Sequence, residues 1–186
     1  SPYLKNVQNK VDYVPIGIEE MDFDELKVKS FKDRFPGKKI VFSLGRLVPY
    51  KGYEYLVEAA KYTKDDVVIL IGGTGPLRED LEEDIRMLGL QDKVELLGRI
   101  SDDDLPTYYR ACDIYCMSSV FKTEAFGIVQ IEAMSCGKPL IATNIPESGV
   151  SWVNKHGVSG INVAPMNGKE LAEAITKICS DREVYE

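Results

Sequence analysis

The stretch Ile40-Val41-Phe42-Ser43-Leu44-Gly45-Arg46-Leu47-Val48-Pro49-Tyr50-Lys51-Gly52 decides the fold. Its opening run lacks the in-out alternation of a half-exposed strand, as a parallel strand covered on both faces requires. A glycine and a basic residue end the run, and a second cation and a second glycine lead into a helix. Similar apolar runs occupy residues 67–71, 94–97, 114–117, 139–142 and 160–163. Amphipathic stretches separate them. Leu77, Leu81, Ile85 and Leu88 keep one face of a 77–90 helix apolar. Ser101 with Asp104, and Asn167 with Glu170, have the spacing of N-caps with capping-box partners. Leu105 and Tyr109, then Leu171, Ile175 and Ile178, continue those helical faces. Repeated β-α units predict an α/β fold, a doubly wound parallel Rossmann-like sheet with right-handed crossovers.

The chain has 186 residues, the size of one domain with its own core. Hydrophobic residues at 44% and charged residues at 28% exclude a disordered or fibrous chain. A net charge of −7 disfavours nucleic acid as a partner, because an acidic surface repels a phosphate backbone. No run approaches the ~20 apolar residues of a membrane span, and no signal-peptide pattern is present. Cys112, Cys116, Cys136 and Cys179 lie in or beside apolar runs and are expected to be buried free thiols of a reducing cytoplasm. Their spacing is not that of a zinc site, the lone His156 beside Gly157 is expected in a loop, and no metal is expected. Residues 1–38 form a separate N-terminal or linker segment, with an edge strand or linker from Val11 to Ile16 and a charged, helix-containing stretch over 19–38. The regular domain is placed at 39–186. The start at Ser1 rather than Met suggests a processed or cut chain.

In such sheets ligands bind beyond the carboxyl ends of the strands, over helix N-termini. Arg46 and Lys51 stand there, although a cation at a helix start opposes the helix dipole. A bound anion such as a diphosphate supplies a reason for them; a solvated turn with two surface charges is the alternative. Gly72-Gly73-Thr74-Gly75-Pro76 lacks the Gly-Lys-Ser/Thr ending of a P-loop, and Arg78 stands where a dinucleotide fingerprint needs its third glycine. It is read as a tight turn. Leu97-Gly98-Arg99-Ile100 repeats the pattern of glycine followed by a basic residue.

The segment from Ser118 to Gly137 carries the most chemistry. Glu132 is the only charge between Glu124 and Lys138, in a helix expected from about Phe126 that is apolar on nearly every face. A buried carboxylate needs a partner. Eight helical residues rise about 12 Å and turn about 80° past two revolutions, so both carboxylates are expected toward one side, each gripping a hydroxyl-bearing group. Between them, the free amides of the small helix start from Ala125 to Gly127 suit an anion. Hydroxyls, phosphate, hydroxyls is the order of a sugar nucleotide. The alternative is a buried helix whose glutamates pair with Arg46, Arg99 or Lys122.

Glu124 and Glu132 form an E-x7-E motif. With Gly45-Arg46-Leu47, Lys51-Gly52, Gly73-Thr74-Gly75-Pro76-Leu77, Leu97-Gly98-Arg99 and Glu132-Ala133-Met134 followed by Gly137-Lys138-Pro139, the chain resembles retaining glycosyltransferases of family 4 over residues 40–180. The resemblance implies one half of a GT-B architecture and a nucleotide-diphosphate-sugar donor of UDP or GDP type. Glu124 would hold the transferred sugar and Glu132 the ribose. Arg46 and Lys51 would neutralise the leaving diphosphate, with no metal and no cofactor. Gly45, Gly73 and the backbone of Ala125, Phe126, Gly127, Ile128 and Val129 would contact the donor, and Arg99 and Ile100 the base. Ala125 replaces a glycine common in the family. Ser148 to Asn154 resembles a bacterial subgroup that builds cell-surface polysaccharides. The resemblance covers the donor-binding half, and Val14 to Ile18 looks like its interdomain linker. The acceptor domain, which takes a saccharide or lipid-linked acceptor, would be missing, as would the C-terminal helix that crosses back. The isolated chain is thus expected to transfer little sugar. The location implied is cytoplasmic, peripheral to the inner membrane face through the absent half. A GT-B epimerase or hydrolase shares these features. A doubly wound signalling module would need an acidic end to its first strand, where Gly45-Arg46 stands, and the failed glycine fingerprint disfavours a nicotinamide dehydrogenase.

Overall fold

A computed structural model describes residues 17–181. Six strands, β1 (Lys39–Leu44), β2 (Val67–Gly72), β3 (Val94–Gly98), β4 (Ile114–Met117), β5 (Leu140–Thr143) and β6 (Gly160–Val163), form one parallel sheet in the order β3-β2-β1-β4-β5-β6. No strand end departs from the sequence expectation by more than one residue. The helices are α1 (Glu25–Lys32), α2 (Tyr53–Ala59), α3 (Arg78–Met87), α4 (Leu105–Ala111), α5 (Ile128–Ser135), α6 (Val150–Val153) and α7 (Gly168–Ser180).

Successive strand residues point to opposite faces, so the unalternated runs feed two cores. Val41, Ile69, Ile71, Ile114 and Ile141 pack beneath α2, α3 and α7. Ile40, Phe42, Leu70, Tyr115 and Ala142 pack beneath α1, α4, α5 and α6. Val28 and Phe31 of α1 are buried in this second core, so its packing begins ahead of residue 39. Of the stretch expected as an edge strand or linker, Val11 to Ile16 lies outside the described residues.

The Asn167 side chain accepts from the Glu170 amide at 3.0 Å, and the expected cap starts α7. The other expected cap is corrected. Ser101 and Asp104 do bond, at 2.7 Å between side chains, but they close a turn ahead of α4, which begins at Leu105. Pro106, lacking an amide hydrogen, fits the first helical turn and sets that start. The 77–90 helix is also shorter than expected, with Gly89 following its C-terminal cap. Gly73 enforces a close backbone approach: a Cβ there would lie 1.9 Å from the Gly45 carbonyl oxygen.

Cys112, Cys116 and Cys136 are buried, Cys179 is half-buried, and all are free. Burial pushes the Cys112 and Cys116 thiols up to about 12. His156 is exposed, and its Nδ1 accepts from the Asn162 amide at 3.0 Å in the turn before β6. Among the described residues no helix is long and apolar enough to cross a membrane.

Two measurements check this architecture. Gly73→Ala should lower unfolding stability by about 2–4 kcal/mol in urea titrations, through the backbone clash with Gly45. Alkylation of the native protein at pH 8, followed by mass spectrometry, should modify half-buried Cys179 while sparing Cys112 and Cys116, because full burial shields those two thiols from the reagent and keeps them protonated.

Candidate functional site

Strand order reverses between β1 and β4, the kind of switch point at whose carboxyl edge doubly wound sheets bind ligands. The β1 loop carries Arg46 and Lys51, the latter in a single 3-10 turn, Pro49–Lys51. The β4 loop carries Glu124. Two bonds tie the loops together: the Val120 amide donates to the Tyr50 carbonyl at 2.8 Å, and the Ser118 hydroxyl to the Lys51 carbonyl at 2.9 Å.

Across this junction Lys51 Nζ donates to Glu124 Oε2 at 2.5 Å, and the two side chains are only 12% and 11% exposed. Ser119 Oγ donates to the same oxygen at 2.9 Å. Ser119 is itself held, since its carbonyl accepts from Oγ1 of Thr143, the last residue of β5. The Glu124 carbonyl accepts from Ser148 Oγ. One carboxylate oxygen is thereby fixed by two donors, while Oε1 has no bonded partner among the described residues. An ammonium group has three donors, so Lys51 keeps capacity for a ligand.

The helix after Glu124 departs from the sequence expectation. Gly127 takes φ 71° as the N-cap, a left-handed conformation that costs glycine little, and α5 begins at Ile128 rather than near Phe126. Glu124 therefore lies in the preceding loop, and the helical rise expected between the two glutamates does not apply. The loop is pinned from below. Gln130, fully buried, donates through Nε2 to the Phe126 carbonyl at 3.0 Å, and the Gly149 amide donates to the Ala125 carbonyl at 2.8 Å. The amides of Ala125, Phe126, Gly127, Ile128 and Val129 enter no hydrogen bond among the described residues. They form a run of donors at the positive end of α5.

Glu132 lies within α5, half-buried, and its Oε2 accepts from the Tyr109 hydroxyl at 2.7 Å. The alternative pairings of the glutamates with Arg46, Arg99 or Lys122 do not form. Lys122 meets Glu147 at the surface at 3.3 Å, Arg46 donates to the Tyr50 hydroxyl at 3.4 Å, and Arg99 is exposed beyond β3 beside half-buried Ile100. Gly45 and Gly73 touch each other backbone to backbone. The structure thus joins Lys51 to Glu124 directly and sets Arg46 and the α5 amides at the same sheet edge, with Glu132 anchored separately. A cavity of about 130 Å³ lined by Lys39, Asp113 and Lys138 opens at the opposite, amino edge. Among the described residues no three His, Cys, Asp or Glu side chains converge as a metal site.

The family model for glycosyl transferases group 1 matches residues 24–186. The chain belongs to this family. The O-antigen chain mannosyltransferase C of Escherichia coli is 30% identical over 98% of this chain and 48% of its own. The Anabaena protein Alr3699/HepE, solved with UDP and with UDP-glucose, superposes with a TM-score of 0.80 at 28% and 27% identity, over 88% of this chain and 45% of its own. The C-terminal domain of a glycosyl transferase group 1 family protein (LpcC) from Francisella tularensis superposes with a TM-score of 0.75 at 25% identity, over 87% of this chain and 86% of that domain. The chain spans about half the length of the curated relatives it matches.

Two residues that anchor the glutamates, Ser119 and Tyr109, were not among the sequence candidates. Ser119 stood in the quoted segment as one of two hydroxyls at a strand end, the signal that could have singled it out. Tyr109 matched the apolar face of α4, and helical periodicity says nothing about where its hydroxyl goes. The Lys51–Glu124 pair sets an energetic test. Removing either partner leaves a charge in a poorly solvated place, so Lys51→Ala and Glu124→Ala should each destabilise by about 3 kcal/mol. The double variant should lose less than the sum, by roughly 1–3 kcal/mol in a urea-melt cycle.

Proposed function

We propose that residues 39–186 are the nucleotide-diphosphate-sugar donor-binding domain of a retaining glycosyltransferase that transfers a hexose to a saccharide or glycolipid acceptor. The observation that carries this reading is Glu124, locked by Lys51 and Ser119 at the switch point with one oxygen free, beside the unspent amides at the start of α5. Glu124 Oε1 then accepts hydroxyls of the transferred sugar. The amides from Ala125 to Val129 and the cations Arg46 and Lys51 meet the diphosphate, and stabilise the negative charge that develops as it leaves. Glu132 accepts the ribose hydroxyls, and Arg99 and Ile100 flank the base.

The complexes of the Anabaena protein with UDP and UDP-glucose support a nucleotide sugar as ligand. The name of the E. coli relative, an O-antigen chain mannosyltransferase, supports a role in polysaccharide assembly. Acceptor binding is assigned to a further domain, in keeping with relatives about twice as long.

Calorimetric titration with UDP- and GDP-sugars is the test. Saturable binding of one base series is expected, weakened in Glu132→Ala by roughly 1–3 kcal/mol through lost ribose contacts. A folded chain that binds neither series would falsify the reading.

A further inference from the structure

Glu124 is held by an ammonium and a hydroxyl, whereas among the described residues the Glu132 carboxylate is bonded only by Tyr109. Tyr109, on α4, is fully buried, and its ring is fixed on two sides. Phe42 of β1 meets it edge-on at 5.5 Å between centroids, and Tyr115 of β4 packs tilted at 5.5 Å. Those two strands flank the switch point. The Tyr115 hydroxyl in turn donates to the carbonyl of Leu44, the last residue of β1, at 3.4 Å. The Tyr109 hydroxyl therefore has a position set by the sheet itself rather than by a surface loop.

A glutamate side chain has three rotatable bonds and, when half-exposed, samples several rotamers. A single donor on a rigid ring selects among them. It engages Oε2 at 2.7 Å and leaves Oε1 for another partner. Burial, then the neighbouring Tyr115 and Glu132, raises the phenol far above its ordinary range, so it remains a donor at any working pH. A buried phenol also needs an acceptor for its own sake, so the contact alone does not separate a structural role from a functional one.

We propose that Tyr109 is a positioning residue for nucleotide recognition, its hydroxyl aiming Glu132 at the ribose hydroxyls of the bound donor. The inference rests on the donor reading above and adds to it the device that fixes the ribose-binding carboxylate. Tyr109 does not touch the ligand, so its effect is confined to contacts that Glu132 makes.

The test compares UDP with 2′-deoxy-UDP, and GDP with 2′-deoxy-GDP, by calorimetry on the full chain. Tyr109→Phe keeps the ring packing, and a thermal melt checks its fold. The wild-type chain should prefer the ribonucleotide of its base by about tenfold, a difference of one charged hydrogen bond. Tyr109→Phe should bring that preference close to one by weakening the ribonucleotide alone. Glu132→Ala should do the same, and Tyr109→Phe added to it should change nothing further. Equal weakening of both nucleotides, or an unchanged preference, overturns the positioning role while leaving the donor reading intact. A wild-type chain that binds neither UDP nor GDP removes the donor reading and this inference together.

Discussion

The Lys51–Glu124 ion pair spans the reversal in strand order and joins the loops of β1 and β4. A carboxylate this far out of water is tolerated only when a cation and hydrogen-bond donors replace the lost hydration. Lys51 and Ser119 do so, and they constrain the surrounding chain in turn. Thr143 holds Ser119, Ser148 holds the Glu124 carbonyl, and Gly149 holds Ala125. Loops from β1, β4 and β5 thus converge on one side chain. The start of α5 and its free amides inherit their position from that convergence.

The two glutamates of the motif solve the same electrostatic problem differently. Glu124 sits in a loop and takes its support from other loops and a lysine. Glu132 sits on a helix, stays half-solvated, and takes a single bond from an aromatic core residue. A lysine neutralises charge and shares its remaining donors with an anion. A phenol gives direction without adding charge. The first arrangement suits a place where sugar and diphosphate meet, the second a place where neutral hydroxyls are recognised. In a chain of net charge −7, the anion-binding capacity of this edge comes from a few local cations and from oriented backbone amides.

Fold class and strand positions were legible in the sequence because they depend on consecutive residues. An unalternated run such as 67–71 announces a strand covered on both faces, and Asn167 with Glu170 announces a helix start. Glu124 and Glu132 stood out as isolated charges in an apolar stretch. Local cues misplaced two helix starts. Pro106 moved α4 past the Ser101–Asp104 turn, and the left-handed Gly127 moved the start of α5 from about Phe126 to Ile128. Glu124 precedes either start, so the eight-residue helical geometry from which both carboxylates were expected to face one side does not hold.

The sequence by itself determined a doubly wound sheet with glycine-basic strand ends and a pair of glutamates near one helix. Tertiary structure alone decided what each glutamate touches. Lys51 reaches Glu124 because β1 and β4 lie side by side, and Tyr109 reaches Glu132 because α4 and α5 cover the same face of the sheet. The physical reason is one of range. Helical and strand periodicity act over a few residues, whereas a buried charge is satisfied by whichever donor the register and the crossovers bring to it.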